Sequence, residues 1–292
     1  MLERLRSVYQ ALKAFAARWR FVILPAATLG LIAGLVWSIR QLGLDWADVN
    51  YWPILIAFAL TLPASILLNA MEFRLCGEAI DRSLDWRSSL RVTTAGTLAN
   101  ILPIPASLAL RGKVLVDRGA RLVDVGRILG LAAALWVAVA IFMTGVSLLN
   151  LTLVVMIGGA GMLATFIVMG LISRASSATI ALEFLVVRFG MLALFALRLF
   201  LLFAALGVGV VIADATLLSG VGVVSATIAI VPSGIGLTEA TGALLATIRE
   251  TSPAAAFLVL GLNRVLSLAG NGLAFLATEL VQGSASTTGE PA

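Results

Sequence analysis

The chain has 292 residues, 61% of them hydrophobic and 12% charged, with a formal net charge of +5 and no histidine; its mean hydropathy is +1.08. A soluble domain is nearer half apolar and a quarter charged, so this composition excludes an ordinary soluble protein and points to an integral membrane protein. Without imidazole there is no His ligand, general base or pH switch, and the single cysteine, Cys76, forms neither an intrachain disulfide nor a thiolate cluster.

The basic residues lie beside apolar segments, where positive-inside topology and anionic headgroups account for them without nucleic acid. Residues 1–20 carry Arg4, Arg6, Lys13, Arg18 and Arg20, with Leu2, Leu5, Tyr9, Leu12, Ala16 and Trp19 at helical spacing, which predicts a basic interfacial helix. A transmembrane domain follows over 21–282. Its first span is expected at Phe21 to Ile39, an uncleaved anchor with the N-terminus cytoplasmic. Asp45 and Asp48 place the next loop outside, with Trp46, Tyr51 and Trp52 as interface anchors, and a second span runs from Trp52 to Met71.

The loop from Glu72 to Arg91 holds four arginines and that from Arg111 to Arg127 five Lys or Arg residues, so both are expected in the cytoplasm. The intervening "VTTAGTLANILPIPASLAL" must then enter and return. Each arm around Pro103 and Pro105 makes roughly 15 to 20 Å of helix against a hydrocarbon core of about 30 Å, which fits two half-helices meeting near mid-membrane. Further spans are expected at Ile128 to Leu148, Thr152 to Ile172 and Thr179 to Leu206. Ala215 to Val231 and Leu237 to Ile248 then flank "PSGIG" as a second re-entrant pair. A last span, Ala254 to Leu280, precedes a small polar tail, 283–292, expected to be disordered.

The fold class is therefore all-α: a polytopic membrane protein of about six spanning helices plus two re-entrant hairpins. Span, span, hairpin, span occurs twice, and the odd number of crossings between copies would turn the second upside down. Such inverted repeats with broken helices recur in transporters, where the interruptions mark the binding site.

A proline break in hydrocarbon survives only where protein or water satisfies the freed backbone. Around Pro232, Ser233 is placed to cap a helix beginning near Ile235, and Gly234 and Gly236 permit positive φ and close approach of a ligand. The N–H groups at that helix start suit an anion such as a phosphate. A kinked helix packing through small glycines is the bland alternative. Ionisable residues inside spans need partners or a function; these are Glu183, Arg188, Arg198, Glu239 and Arg264, with Asn100 and Asn263 as polar company. Arg264, Ser267 and Asn271 share one face of the last helix. A structural ion pair of Glu239 with Arg264 and direct ligand contact are both open, and the two roles can coexist. Arg111, Arg174 and Glu183 lie near helix ends, where snorkelling explains them.

"NILPIPASLALRG", the amphipathic "KVLVDRGARLVDVGR", "VPSGIGLTEA" and "LNRVLSLAGNGL" together resemble the transmembrane region of lysylphosphatidylglycerol synthases, a flippase-like module. The resemblance runs from about Phe21 to Leu280 and rests on Asn100, Pro103, Arg111, Pro232, Gly234, Gly236, Glu239 and Arg264. It implies translocation of a phospholipid or lipid-linked headgroup between leaflets of the cytoplasmic membrane, without the aminoacyl transferase activity, for which no domain is present. The substrate-binding set expected is Asn100, Pro103, Arg111, Arg198, Pro232, Ser233, Gly234, Gly236, Glu239, Asn263 and Arg264, with membrane lipids bearing an anionic phosphate as partners and no cofactor. Glycine-rich faces such as "GGAGM" at 158–162 permit self-association without establishing it. A secondary carrier for a small anion and a non-transporting partner of a lipid-modifying enzyme are the alternatives. An intramembrane enzyme is the weakest reading, because the inventory assembles neither a metal-ligand cluster nor a nucleophile with its base.

Overall fold

The computed structural model describes residues 25–45, 47–100, 106–148, 150–227 and 234–287, with side chains as far as 280. The expected interfacial helix over 1–20 and the breaks at Pro103, Pro105 and Pro232 lie outside the described residues. So do Ser233, Trp46 and the end of the tail. All regular structure among the described residues is helical: α1 (25–42), α2 (Tyr51–Glu78), α3 (Trp86–Ala99), α4 (Ala106–Asp117), α5 (Leu122–Val146), α6 (Leu151–Ala175), α7 (Ala178–Ala205), α8 (Ile212–Thr227), α9 (Leu237–Ile248) and α10 (Pro253–Thr287). Single π-turns interrupt α2 at Ala57–Thr61 and α6 at Val154–Gly158. Five of the helices, α2, α5, α6, α7 and α10, are long and apolar enough to cross a membrane. The protein is thus an all-α, multi-pass membrane protein. The last helix continues to Thr287, past the boundary drawn at 282 from the sequence.

Short polar side chains start these helices where the chain turns. Asn50 accepts from Trp52 N at 3.1 Å, Asn150 from Leu153 N at 3.2 Å, Ser177 from Ile180 N at 3.2 Å, and Asp85 from Ser88 N at 2.9 Å. Each replaces one intrahelical bond that a first turn lacks. The four N–H bonds so made keep α2, α6, α7 and α3 starting at fixed points.

The hairpin arms are too short to cross. Helices α3 and α4 have 14 and 12 residues, and α8 and α9 have 16 and 12, about 18 to 24 Å of helix against a core of about 30 Å. Each hairpin is clamped at its base by an Asp–Arg pair joining the start of the first arm to the end of the second. In the first, Arg118 meets Asp85 at 3.0 Å and also donates to Ser83 O and Ser88 Oγ. In the second, Arg249 meets Asp214 at 2.5 Å. The tips are pinned as well: Asn100 Oδ1 accepts from Ser107 N at 3.2 Å, and Ser225 Oγ lies 3.2 Å from Thr238 Oγ1.

Asn50 N donates to Ala205 O at 3.0 Å, so the start of α2 lies beside the end of α7 and the two helices run antiparallel. The first hairpin leaves from the end of α2 and the second from the end of α7. They therefore enter the bundle from opposite ends. Exchanging the halves leaves the packing pattern nearly unchanged. Helix α3 packs on α2 and α10 as α8 packs on α7 and α5; α4 packs on α5 as α9 packs on α10. Helix α1 crosses α10 through Gly34 against Phe257 and Gly261 against Leu35, and α6 crosses α5 through Gly158 against Gly145 and Gly161 against Phe142. A Cβ at Gly145 or Gly161 would land on the opposing backbone, so these glycines set the helix spacing. Helices α2 and α7 pack on each other at the centre.

Apolar packing falls into two clusters. One surrounds Phe73, Leu135, Phe184 and Leu192; the other surrounds Leu199, Phe203, Leu218 and Val259. The buried ionised groups of α2 and α7 lie beside them.

Candidate functional site

A polar stripe on α2, formed by Thr61, Ser65, Asn69 and Glu72, recurs every three or four residues and so keeps to one helix face. That face meets α7. Arg198, only 6% exposed, donates from Nε to Asn263 Oδ1 at 2.6 Å and reaches Ser65 Oγ at 3.5 Å. Among the described residues no carboxylate forms an ion pair with it. Ten residues earlier, Arg188 bonds Glu72 Oε1 at 2.6 Å and Ala132 O at 2.9 Å, and its guanidinium lies 4.9 Å from the Trp136 ring centre. Arg111, from α4, bonds Asn69 Oδ1 at 2.5 Å and stands 3.6 Å from the same Glu72 oxygen.

A second group forms where α9 meets α10. Glu239 is fully buried; its Oε1 accepts from Arg264 Nε at 2.7 Å and its Oε2 from Gly236 N at 2.8 Å. Arg264 also donates to Gly234 O at 3.2 Å. Gly234 and Gly236 hold φ of +62° and +78°, the left-handed backbone that Cβ-bearing residues avoid. The helix begins at Leu237, with Gly236 as its capping residue, two residues later than the start near Ile235 expected from Ser233. The carboxylate of Glu239 takes one of the amide hydrogens at this helix start, so an incoming anion shares these donors with an acidic side chain already there. On α10, Asn263 and Asn271 are buried and Asn271 donates to Ser267 O at 2.8 Å.

The buried guanidiniums fall into two stations along α7, one at Arg188 with Arg111 and one at Arg198, whose partner Asn263 adjoins Arg264. Arg188 and Arg198 are ten residues apart on one helix, about 15 Å along its axis. The interior group of Arg111, Arg188, Arg198 and Arg264 faces Glu72 and Glu239: four guanidiniums to two carboxylates, a surplus of two positive charges among the described residues.

Of the site residues expected from the sequence, Gly234, Gly236, Glu239 and Arg264 form one cluster. Asn263, next to Arg264 on α10, holds Arg198. Asn100 closes the first hairpin tip. Pro103, Pro232 and Ser233 lie outside the described residues. Arg111 does not snorkel to the surface. Its helix begins within the bundle, so its sixth position turns inward to Asn69 and Glu72. The span read as ending at Met71 continues to Glu78, and Glu72, assigned to a loop, is 2% exposed inside the bundle. Glu72 and its partner Arg188 were thus missing from the expected set. The spacing of Thr61, Ser65, Asn69 and Glu72 carried the signal that α2 continues past Met71.

No model of a known protein family matches the chain, and no curated protein is significantly similar to it.

Proposed function

We propose that the protein moves a phosphate-bearing lipid headgroup between the leaflets of the cytoplasmic membrane, with the acyl tails remaining in the bilayer. The observation that carries this reading is the surplus of buried guanidinium charge, and above all Arg198, which is held by an amide and a hydroxyl and paired with no acid among the described residues. An uncompensated charge in such a place is costly, so it persists where a ligand of opposite sign completes it. Two cationic stations about 15 Å apart, roughly half of a 30 Å core, would let an anionic group cross in short steps. Arg111 and Arg264 keep 12% and 18% of their side chains exposed, which suits a headgroup reached from the side rather than a sealed cavity. The motif resemblance read from "VPSGIGLTEA" and "LNRVLSLAGNGL", which rests on the sequence alone, agrees with the same substrate class. Arg74, Arg82, Arg87, Arg118 and Arg121 gather at the end of the bundle where α2 finishes, which supports that end as cytoplasmic.

The test separates function from folding. Arg198→Met removes a buried unpaired charge, so the variant is expected to unfold at the parental temperature or above it while ceasing to move labelled phosphatidylglycerol across liposome membranes. Parental movement by a well-folded Arg198→Met protein would refute the reading. Movement of inorganic phosphate into the lumen without movement of lipid would instead favour a small-anion carrier.

A further inference from the structure

The station formed by Glu72, Arg111 and Arg188 holds one carboxylate and two guanidiniums, so one cation is in excess. The distances decide which. Arg188 makes a 2.6 Å bond to Glu72 Oε1, a second bond to Ala132 O, a 4.0 Å contact to Met191 Sδ, and lies against the Trp136 ring. Four elements of its surroundings fix it. Arg111 stands 3.6 Å from the same oxygen, beyond hydrogen-bond range, and is oriented by the neutral Asn69 and the Phe73 ring. Among the described residues its buried Nε–H has no acceptor, nor has that of Arg188, and Glu72 Oε2 has no donor. A buried guanidinium donor without an acceptor is a place for an anion oxygen or a water.

We propose that Arg188 is a positioning residue that holds and neutralises Glu72, so that the charge of Arg111 stays available for the substrate phosphate. This rests on the reading of the protein as a mover of phosphate-bearing lipids. Without Arg188, Glu72 has one cation within reach. It closes on Arg111, and the station loses its net charge. Removing Glu72 as well returns Arg111 to the substrate.

The test is a rescue, which a merely structural role for Arg188 does not produce. Arg188→Gln is expected to lower the rate of phosphatidylglycerol movement in liposomes by about tenfold or more, the scale on which one partner of a desolvated charge pair alters binding. The double variant Glu72→Gln/Arg188→Gln is expected to recover to within about threefold of the parent, since no counter-charge then remains on Arg111. Adding Arg111→Gln to the double variant abolishes the recovery. Should Arg188→Gln fail to insert, Arg188→Met with and without Glu72→Gln follows the same order. A folded double variant as slow as Arg188→Gln, or an Arg188→Gln protein as fast as the parent, overturns the assignment. Retention of phosphatidylglycerol in native mass spectrometry is measured on the same proteins. A parent that moves no lipid would count against the function proposed above, while the order parent, double variant, then Arg188→Gln in lipid retention would still carry the role of Arg188. Equal retention by all three would overturn it.

Discussion

Replacing Glu239 tests how the break between α8 and α9 is held, and the structure sets the size of the effect. Glu239 is fully buried and bonds both Arg264 Nε and Gly236 N. Breaking a buried ion pair by removing one partner costs about 3 to 5 kcal/mol. Glu239→Gln keeps an acceptor for the Gly236 amide and leaves Arg264, which is 18% exposed and retains some hydration, so about 3 kcal/mol is expected. Arg264→Gln strands a fully buried carboxylate and belongs nearer 4 kcal/mol. The double variant leaves no orphaned charge and is expected to lose no more than about 4 kcal/mol rather than the sum of the two, a coupling of at least about 3 kcal/mol. That coupling exceeds the ~0.6 kcal/mol average of hydrogen bonds between membrane helices. Reversible unfolding of the four proteins in bicelles by denaturing detergent measures it. Effects that add to within about 0.5 kcal/mol would show that the pair is not formed and would refute the reasoning.

Gly236→Ala forces a Cβ into φ +78°, where among the described residues it meets only Ala27 O at 3.6 Å, so strain rather than collision dominates and about 1 to 2 kcal/mol of stability should be lost in the same unfolding assay. Asp214→Asn should cost more than Asp85→Asn, because the Asp214–Arg249 side chains are 13% and 10% exposed and those of Asp85–Arg118 are 58% and 33% exposed; the second pair is worth about 1 kcal/mol or less. The Ser88 amide hydrogen holds the Asp85 carboxyl below the usual carboxylate range. Its contribution is therefore full above the unfolded value near 3.9 and lost as pH falls through the lower folded value, so the gap between parent and Asp85→Asn should stay constant from about pH 5 to 8 and shrink only in stronger acid. For sidedness, Ser83→Cys and Gly209→Cys put thiols at the bases of the two hairpins, and an impermeant maleimide should label them from opposite sides of the membrane. Labelling of both from one side would contradict the arrangement of the hairpins.

The spans were legible because runs of 18 or more apolar residues have no other economical reading, and the hairpins because prolines divide segments too short to cross. The partnership of Glu239 with Arg264 was open in the sequence as one of two roles, and the structure forms that pair. Glu72 was not legible. It stands beside Arg74 and Glu78, and a cluster of charges at the end of an apolar run looks like a loop. Its partner Arg188 is 116 residues away, so the neutralisation that makes its burial tolerable is invisible to any local window. Arg111 was misjudged for a related reason. Nearness to a helix end implies the membrane surface only for a spanning helix, and α4 begins within the bundle.

The central claim is that surplus guanidinium charge inside the bundle receives a lipid phosphate. Native mass spectrometry of the purified protein, offered phosphatidylglycerol and a diacylglycerol with identical chains, tests it most directly. Preferential retention of phosphatidylglycerol by the parent, lost in Arg198→Met, is expected. Equal retention of the two lipids, or an undiminished preference in Arg198→Met, would contradict the account.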